Sequence, residues 1–467
     1  MQVVILGAGM HGLVLGTVLA RDGHDVTILE RDPAPAPDPA ASWATWERRG
    51  VPQFRQPHYL LARWRLEAEE LVPELVAELA AAGAARVDPF RRLLGAPGVA
   101  PDPADARLVN LTARRPVVEA AAARVAARTP RLVVRRGVAV TGLRATTPRT
   151  APVPHVSGVL TAGGEVVEAD LVVDACGRRS PLPDWLAAIG AAAPAEERSG
   201  GRLVYASRHF RSDAMPEIRG GLLQHHDSLT VVTLPADNST WSVALISHVE
   251  DTPMRALRDP ARWHAALALY PLAAHWGEGE PLTGVDVMAV GEDRWRRLVV
   301  DGMPVVTGVV AVGDSWACTD PAFGRGLSIG LVQIRAVRDV LRQAEDDEPE
   351  KLVRRVDEAT AATAEPLYRA TAALDRHRQA ELLADARGEP YEPDDPAWVV
   401  SKALVAGVAT GDPVVARAYG AIANLLALPG EVLAAPGVLD RVLGAGAGAP
   451  RYPLPGATRE ELLAALA

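Results

Sequence analysis

The sequence predicts an α/β protein in three parts. These are a discontinuous Rossmann-type domain over residues 1–184 and 286–345, an inserted antiparallel β-sheet over 185–285, and a helical region over 346–467. Three observations carry this reading. An apolar run, Gln2–Leu6, leads through a glycine cluster into the helical stretch His11–Arg21 and a second run, Asp25–Glu30, which is a βαβ opening. From Arg202 to Glu250 apolar and polar residues alternate, as in strands with two unlike faces. Beyond about residue 326 the pattern is helical, interrupted at Gly388–Pro396 and at Gly411-Asp412-Pro413.

Between these landmarks the elements follow in order. Arg31–Ala41 is rich in proline and alanine and reads as an extended surface loop. Leu60–Ala82 and Arg115–Arg128 have helical spacing, Arg131–Arg136 and Val138–Val140 read as strands, and Leu171–Val173 closes the first half. The inserted sheet offers strands at Arg202–Phe210, Gly221–Gln224, Ser228–Leu234 and Trp241–Val249, with a turn at Asp237-Asn238. Met303–Val312 is a further buried strand ending at Gly313-Asp314.

Composition narrows the function. A chain of 467 residues with 48% hydrophobic and 23% charged residues is globular, which excludes disordered, collagenous and disulfide-scaffold classes. A net charge of 49 − 58 = −9 argues against nucleic acid as a partner. Lys351 and Lys402 are the only lysines, so arginine clusters reflect composition and carry little weight. Cys176 and Cys318 stand far apart without metal-ligand spacing, so neither a disulfide nor a zinc site is expected. His225 and His226, adjacent on a strand, point to opposite faces and cannot chelate one ion. No stretch reads as a transmembrane segment, and the first strand begins without a basic leader, so a cytoplasmic protein is expected.

Gly7-Ala8-Gly9-Met10-His11-Gly12 is a GxGxxG between a strand and a helix, and Glu30 ends the next strand. Gly7 permits the tight turn, Gly9 lets backbone approach a pyrophosphate, and Gly12 allows close helix–strand contact. The helix N-terminus offers free N–H groups to the anion, and Glu30 would accept from ribose hydroxyls while repelling a 2′-phosphate. Arg31, next in the chain, joins these as a cofactor contact. No second GxGxxG with strand and helix appears, so no separate NAD(P)H domain is expected.

A second constellation follows the strand Val305–Val312. Gly313-Asp314, then Asp320-Pro321, then Gly324-Arg325-Gly326-Leu327-Ser328 open a helix. A carboxylate at a strand end can bind polyol hydroxyls, and a helix N-terminus can stabilise negative charge on a reduced ring system.

With these motifs on the page, the chain resembles the FAD-dependent monooxygenases of the para-hydroxybenzoate hydroxylase type. Arg115-Pro116-Val117-Val118-Glu119 is similar to the family helix whose arginine lies over the cofactor. Asp174–Trp185 resembles a variant of its "DG" segment, with Ala175 and Cys176 between Asp174 and Gly177. Gly50–His58 resembles a segment of bacterial hydroxylases and epoxidases of natural-product pathways. The resemblance implies that Gly7, Gly9 and Gly12 hold the pyrophosphate of FAD, Glu30 the adenosine ribose, and Val138 the adenine. It implies that Arg115 lies near the pyrophosphate or ribityl chain, that Asp314 binds the ribityl hydroxyls, and that the Gly326 and Leu327 backbone meets the isoalloxazine. Electrons would come from NAD(P)H or from a separate flavin reductase.

Three residues are candidates for catalysis. His58 ends a loop bracketed by Trp46 and Trp64 and could donate to an oxygenated substrate or the flavin edge. Tyr205 could face the flavin from the inserted sheet. Trp316 stands shortly after Gly313-Asp314, where family members often carry histidine or a small residue. Ten of the 21 aromatic residues are tryptophans, and Trp43, Trp46 and Trp64 crowd one segment, which suits a large planar or hydrophobic ligand and equally a plain packing cluster; the partner expected is a small hydrophobic or aromatic substrate. Glu365-Pro366 and Asp375-Arg376-His377-Arg378 read as solvated or helix-pairing charge.

The resemblance implies insertion of one atom of O₂ into an aromatic or alkene substrate through a flavin C4a-(hydro)peroxide. The alternative is a flavin-dependent reductase of the geranylgeranyl reductase type, without oxygen insertion. A halogenase is not expected, because neither lysine lies near the cofactor motifs in sequence.

Overall fold

In the computed structural model, five strands form a parallel sheet in the order 309–311, 171–174, 2–6, 25–30 and 132–136. The structure describes residues 1–146, 153–199, 201–290, 292–344 and 348–467. The boundary expected at residues 345–346 lies outside the described residues. Gln2–Leu6 sits at the centre because both of its faces are apolar. Val3 and Ile5 enter the cluster beneath the helices, while Val4 and Leu6 enter a second cluster on the opposite side. Helices Met10–Arg21, Arg115–Ala127 and Gly326–Leu341 cover the first face. An antiparallel meander of strands 140–146, 155–161 and 166–168 covers the second.

The inserted sheet is antiparallel, with strands 223–225, 230–235, 240–248 and 203–211 in that order, flanked by 280–281 and 286–290. Left-handed backbone at Asn238 and Ser239 turns the chain between two of its strands. Leu203, Tyr205, Ala244 and Ile246 form one apolar face. Ala206, Val243 and Leu245 face the other way, onto the helix Pro260–Ala268 with its buried Trp263. Asp286–Val290 pairs with Leu203–Arg211, so the sheet continues beyond residue 285.

Leu60–Ala82 is two helices, 62–71 and 73–81, because Pro73 cannot continue the first. Met303–Val312 is likewise broken, into Met303–Pro304 and Val309–Ala311. The helix Pro349–Arg387 is 39 residues long, contains Pro366, and ends at Gly388 with φ +68°. Asp395 and Asp412 cap the helices 396–409 and 413–423 by accepting from backbone N–H groups, with Pro at the first helical position in each. No helix among the described residues is long and apolar enough to cross a membrane.

Candidate functional site

The first glycines are required by geometry. Gly7 has φ +104°, and a Cβ there would stand 2.7 Å from the Ala175 carbonyl oxygen. A Cβ on Gly12 would stand 2.1 Å from the Gly7 carbonyl oxygen, so the helix could not approach its strand. Gly9 is different: a Cβ there meets nothing within 4 Å. Gly9 is also the helix N-cap without a side-chain cap, so the first N–H groups open onto an uncluttered crevice.

Glu30 stands at the edge of that crevice and is 5% exposed. Its Oε2 accepts from Ala8 N–H at 2.9 Å and its Oε1 from Asp32 N–H at 2.9 Å. It also pairs with Arg48, whose other terminal nitrogen reaches Glu119 and the Ala8 carbonyl oxygen. A carboxylate can accept about four hydrogen bonds, so Glu30 keeps room for a ribose hydroxyl. Arg31 and Val138 line the same crevice.

Glu119 is wholly buried between Arg48 and Arg115, whose Nε donates to Glu119 Oε1 at 2.7 Å. Burial alone would raise the Glu119 carboxyl, but the two guanidiniums hold it below the usual carboxylate range. Arg115 Nη1 also donates to His58 Nε2 at 3.1 Å. The His58 ring donates from Nδ1 to the Gln56 carbonyl oxygen at 2.9 Å, which fixes the neutral tautomer. Burial, with Arg115 adding to it, pushes His58 down to about 3. Both ring nitrogens are spent within the protein. His58 thus holds Arg115 by a hydrogen bond, and it lines the cavity without a free ring nitrogen.

The second half of the site is clamped by Asp174, which is fully buried. It accepts from Ser180, from Cys176 N–H at 2.9 Å and from Ser315 Oγ at 3.2 Å. Ser315 Oγ in turn accepts from Gly177 N–H at 2.8 Å. The variant segment around Asp174 is thereby tied to Gly313-Asp314. Asp314 faces the same cavity as Gly7 and Gly9, and a Cβ on Gly326 would stand 3.9 Å from its Oδ1. Gly324, with φ +64°, turns the chain into the helix that starts at Gly326.

These pieces open into one cavity of about 1650 Å³. Its wall includes Gly7, Gly9, Glu30, Arg31 and Val138 together with Arg115, Asp314, Gly326 and Leu327. An apolar part of the wall comes from Val232, Ile246 and Met288 of the inserted sheet and from Trp398, Leu404 and Val405 of the C-terminal helices.

Of the residues read as catalytic, Tyr205 is on the cavity wall and donates its hydroxyl to Asp320. Trp316 is not on that wall. It is 7% exposed, 6.2 Å from the Tyr368 ring, within the apolar cluster beneath the meander. Its place after Gly313-Asp314 puts it in the core and not on the cavity wall. The charge read at 375–378 as solvated or helix-pairing is mostly buried, so the solvated alternative fails: Asp375, His377 and Arg378 are each 3% exposed or less. The reason is that the helix passes beneath the inserted sheet, where Arg378 donates to the His226 and Leu229 carbonyl oxygens. Lys402, far from the cofactor motifs in sequence, lines the cavity, bonded to Glu381 at 2.9 Å. Burial lowers it to about 8. His225 and His226 do face opposite ways, the first toward Phe323 and Trp398, the second toward Tyr270.

Sequence reasoning missed Arg48, because discounting arginine clusters discounted Trp46-Glu47-Arg48-Arg49 as well. It also missed His11, whose only signal was an imidazole inside GxGxxG, and the contribution of the C-terminal helices to the wall.

A strand–turn–helix crevice of this kind suits an extended dinucleotide. Residues 1–331 match the family described as FAD binding domain. The chain belongs to this family. It is similar to Protein Rv3254 of Mycobacterium tuberculosis, at 30% identity over 418 residues, 81% of this chain and 82% of that protein. Its fold is similar to that of Pseudomonas aeruginosa PqsL in complex with 2-aminobenzoylacetate, with a TM-score of 0.59, 15% identity, and coverage of 83% of this chain and 99% of the other. It is also similar to OxyS anhydrotetracycline hydroxylase from Streptomyces rimosus, with a TM-score of 0.56, 19% identity, and coverage of 92% and 77%.

Proposed function

We propose that this protein inserts one atom of O₂ into a hydrophobic aromatic or alkene substrate, using FAD reduced by NAD(P)H or by a partner reductase. The observation that carries the reading is the continuity of the nucleotide crevice with the apolar chamber. Ligand sites for one drug-sized molecule are about 300–1,000 Å³, and this cavity of about 1650 Å³ has room for a second molecule beside the dinucleotide.

When bound, FAD supplies the activation of O₂ and the transfer of one oxygen atom. The protein's own contribution is positional. The helix N-terminus at Gly9 and the Arg115 guanidinium hold the anionic stretch of the cofactor, and Glu30 and Asp314 accept from its hydroxyls. The Gly326 and Leu327 backbone meets the ring. Val232, Ile246, Met288 and Trp398 exclude water from the chamber and orient an apolar substrate by contact.

Purified protein is expected to carry FAD, to consume O₂ when reduced in the presence of substrate, and to leave one labelled oxygen from O₂ in the product. A reduced product without label would instead mark a reductase. Colourless protein that takes up no FAD would end both readings.

A further inference from the structure

The loop joining Asp314 to Gly326 contains a buried acidic group with no role in holding the cofactor. Asp320 is 0% exposed. Its Oδ1 accepts from the Tyr205 hydroxyl and from Ala322 N–H at 3.0 Å, while its Oδ2 has no partner among the described residues. Two further carboxyls face it. Asp293, on the strand 293–297, accepts from Asp320 N–H at 2.6 Å and from Ser199 Oγ at 3.1 Å. Asp375, on the long helix, is 1% exposed, and neither of its oxygens has a partner among the described residues.

The cations that face this group are Arg178 and Arg325. Arg178 donates to the Glu292 and Thr319 carbonyl oxygens at 2.8 and 2.7 Å, and Arg325 faces Asp375. Three carboxyls against two guanidiniums in a dry region leave one negative charge uncompensated. Binding one proton removes it, since an isolated buried charge is far costlier than a neutral acid.

We propose that Asp320 is the proton-holding residue of the flavin site and that it sets the direction of the Tyr205 hydroxyl at the cavity wall. When Asp320 is ionised, Tyr205 donates to it and its proton points away from the cavity. When Asp320 is protonated, its O–H donates to Tyr205 Oη and the Tyr205 hydroxyl is free to donate into the cavity. Delivery then breaks the Tyr205 O–H bond as the acceptor's bond to hydrogen forms, and the Asp320 proton remakes the Tyr205 O–H. Asp320 is left ionised and recovers one proton from solvent; no electrons move in the relay. Burial, opposed in part by the Tyr205 hydrogen bond, raises Asp320 to about 6, within reach of neutral solution.

The inference rests on the flavin chemistry proposed above but not on oxygen insertion. Its test is the reduction potential of the FAD-loaded protein as a function of pH, read without substrate or O₂. A change of slope near pH 6 is expected in the natural protein, where Asp320 titrates. Asp320→Asn is expected to lose that break. Tyr205→Phe, which removes a donor to the ionised acid, is expected to keep it and move it to higher pH. A straight line in the natural protein, an unchanged break in Asp320→Asn, or an unmoved break in Tyr205→Phe overturns the proposal. Should Asp320→Asn fail to fold, Tyr205→Phe decides the matter alone. A protein that shows the break yet inserts no oxygen sinks only the monooxygenase reading.

Discussion

His11 Nε2 lies 3.3 Å from the carbonyl oxygen of Leu327, a hydrogen bond between residues 316 positions apart. Burial keeps the ring neutral, so Nε2 carries the proton and donates. The ring occupies the space above two glycines: a Cβ on Gly330 would stand 2.1 Å from His11 Nε2, and one on Gly313 2.3 Å from Nδ1. Gly330→Ala is therefore expected to cost about 1–3 kcal/mol through overpacking. His11→Ala should relieve that cost in the double variant, giving a coupling of about 0.5–3 kcal/mol in a denaturant-unfolding cycle. Strict additivity would show that His11 and Gly330 do not meet.

The glycines of the first turn separate folding from cofactor binding. Gly9→Ala meets open space, so its unfolding midpoint is expected to stay near that of the natural protein while FAD affinity falls. Gly12→Ala, with its Cβ against the Gly7 carbonyl oxygen, is expected to lose both. Thermal unfolding without added cofactor, paired with fluorescence titration of FAD, distinguishes them.

Arg48 is the shared counter-ion of Glu30 and Glu119. Arg48→Leu leaves two buried carboxylates short of a partner and is expected to destabilise the protein by about 3–5 kcal/mol. The loss should shrink in acid, because Glu119 is held below its ordinary range by Arg48 and Arg115. Its pairing contributes stability above the unfolded-state value of about 4.3 and loses it as pH falls further. Unfolding of the variant and the natural protein at several pH values checks the direction.

His58 and His209 are both pushed down to about 3, chiefly by burial. Unfolded histidine titrates near 6.5, so between about 6.5 and about 3 the unfolded chain binds protons that the folded chain does not. Stability is then fully present above about 6.5 and falls on acidification, by up to about 1.4 kcal/mol per pH unit for each histidine. His209→Gln is expected to flatten the slope of unfolding free energy against pH over this window. An unchanged slope would mean that His209 binds its proton as readily in the folded as in the unfolded chain.

The nucleotide half of the site was legible because its requirements are local. A turn at Gly7, a contact at Gly12 and an acid at the end of the next strand leave a mark within 30 residues. Long-range geometry left no such mark. His58 and Arg115 read as two independent site residues, yet one is the hydrogen-bond partner of the other. Trp316 was judged by its distance from Gly313-Asp314 along the chain, and nothing local says that its ring turns inward. The charges at 375–378 have an ordinary solvent-facing pattern, and only the sheet folded over them makes them interior. Lys402 reaches the cavity through helices whose sequence carries no motif at all.

The roof of the substrate chamber is fastened through main-chain oxygens. Arg63 donates to the Leu425 and Leu426 carbonyls, and Arg325 to that of Ile422. Any sequence offers such acceptors, so these three hydrogen bonds do not depend on which side chains follow residue 395, whereas the ion pairs of Arg417 with Asp105, Arg451 with Glu381 and Arg459 with Asp251 do. On the proposed function, the part of the wall built by these helices can be recast while the crevice around Gly9 and Asp314 stays as it is. A graft of residues 395–467 from a relative should thus exchange what is accepted and leave the colour of the protein unchanged.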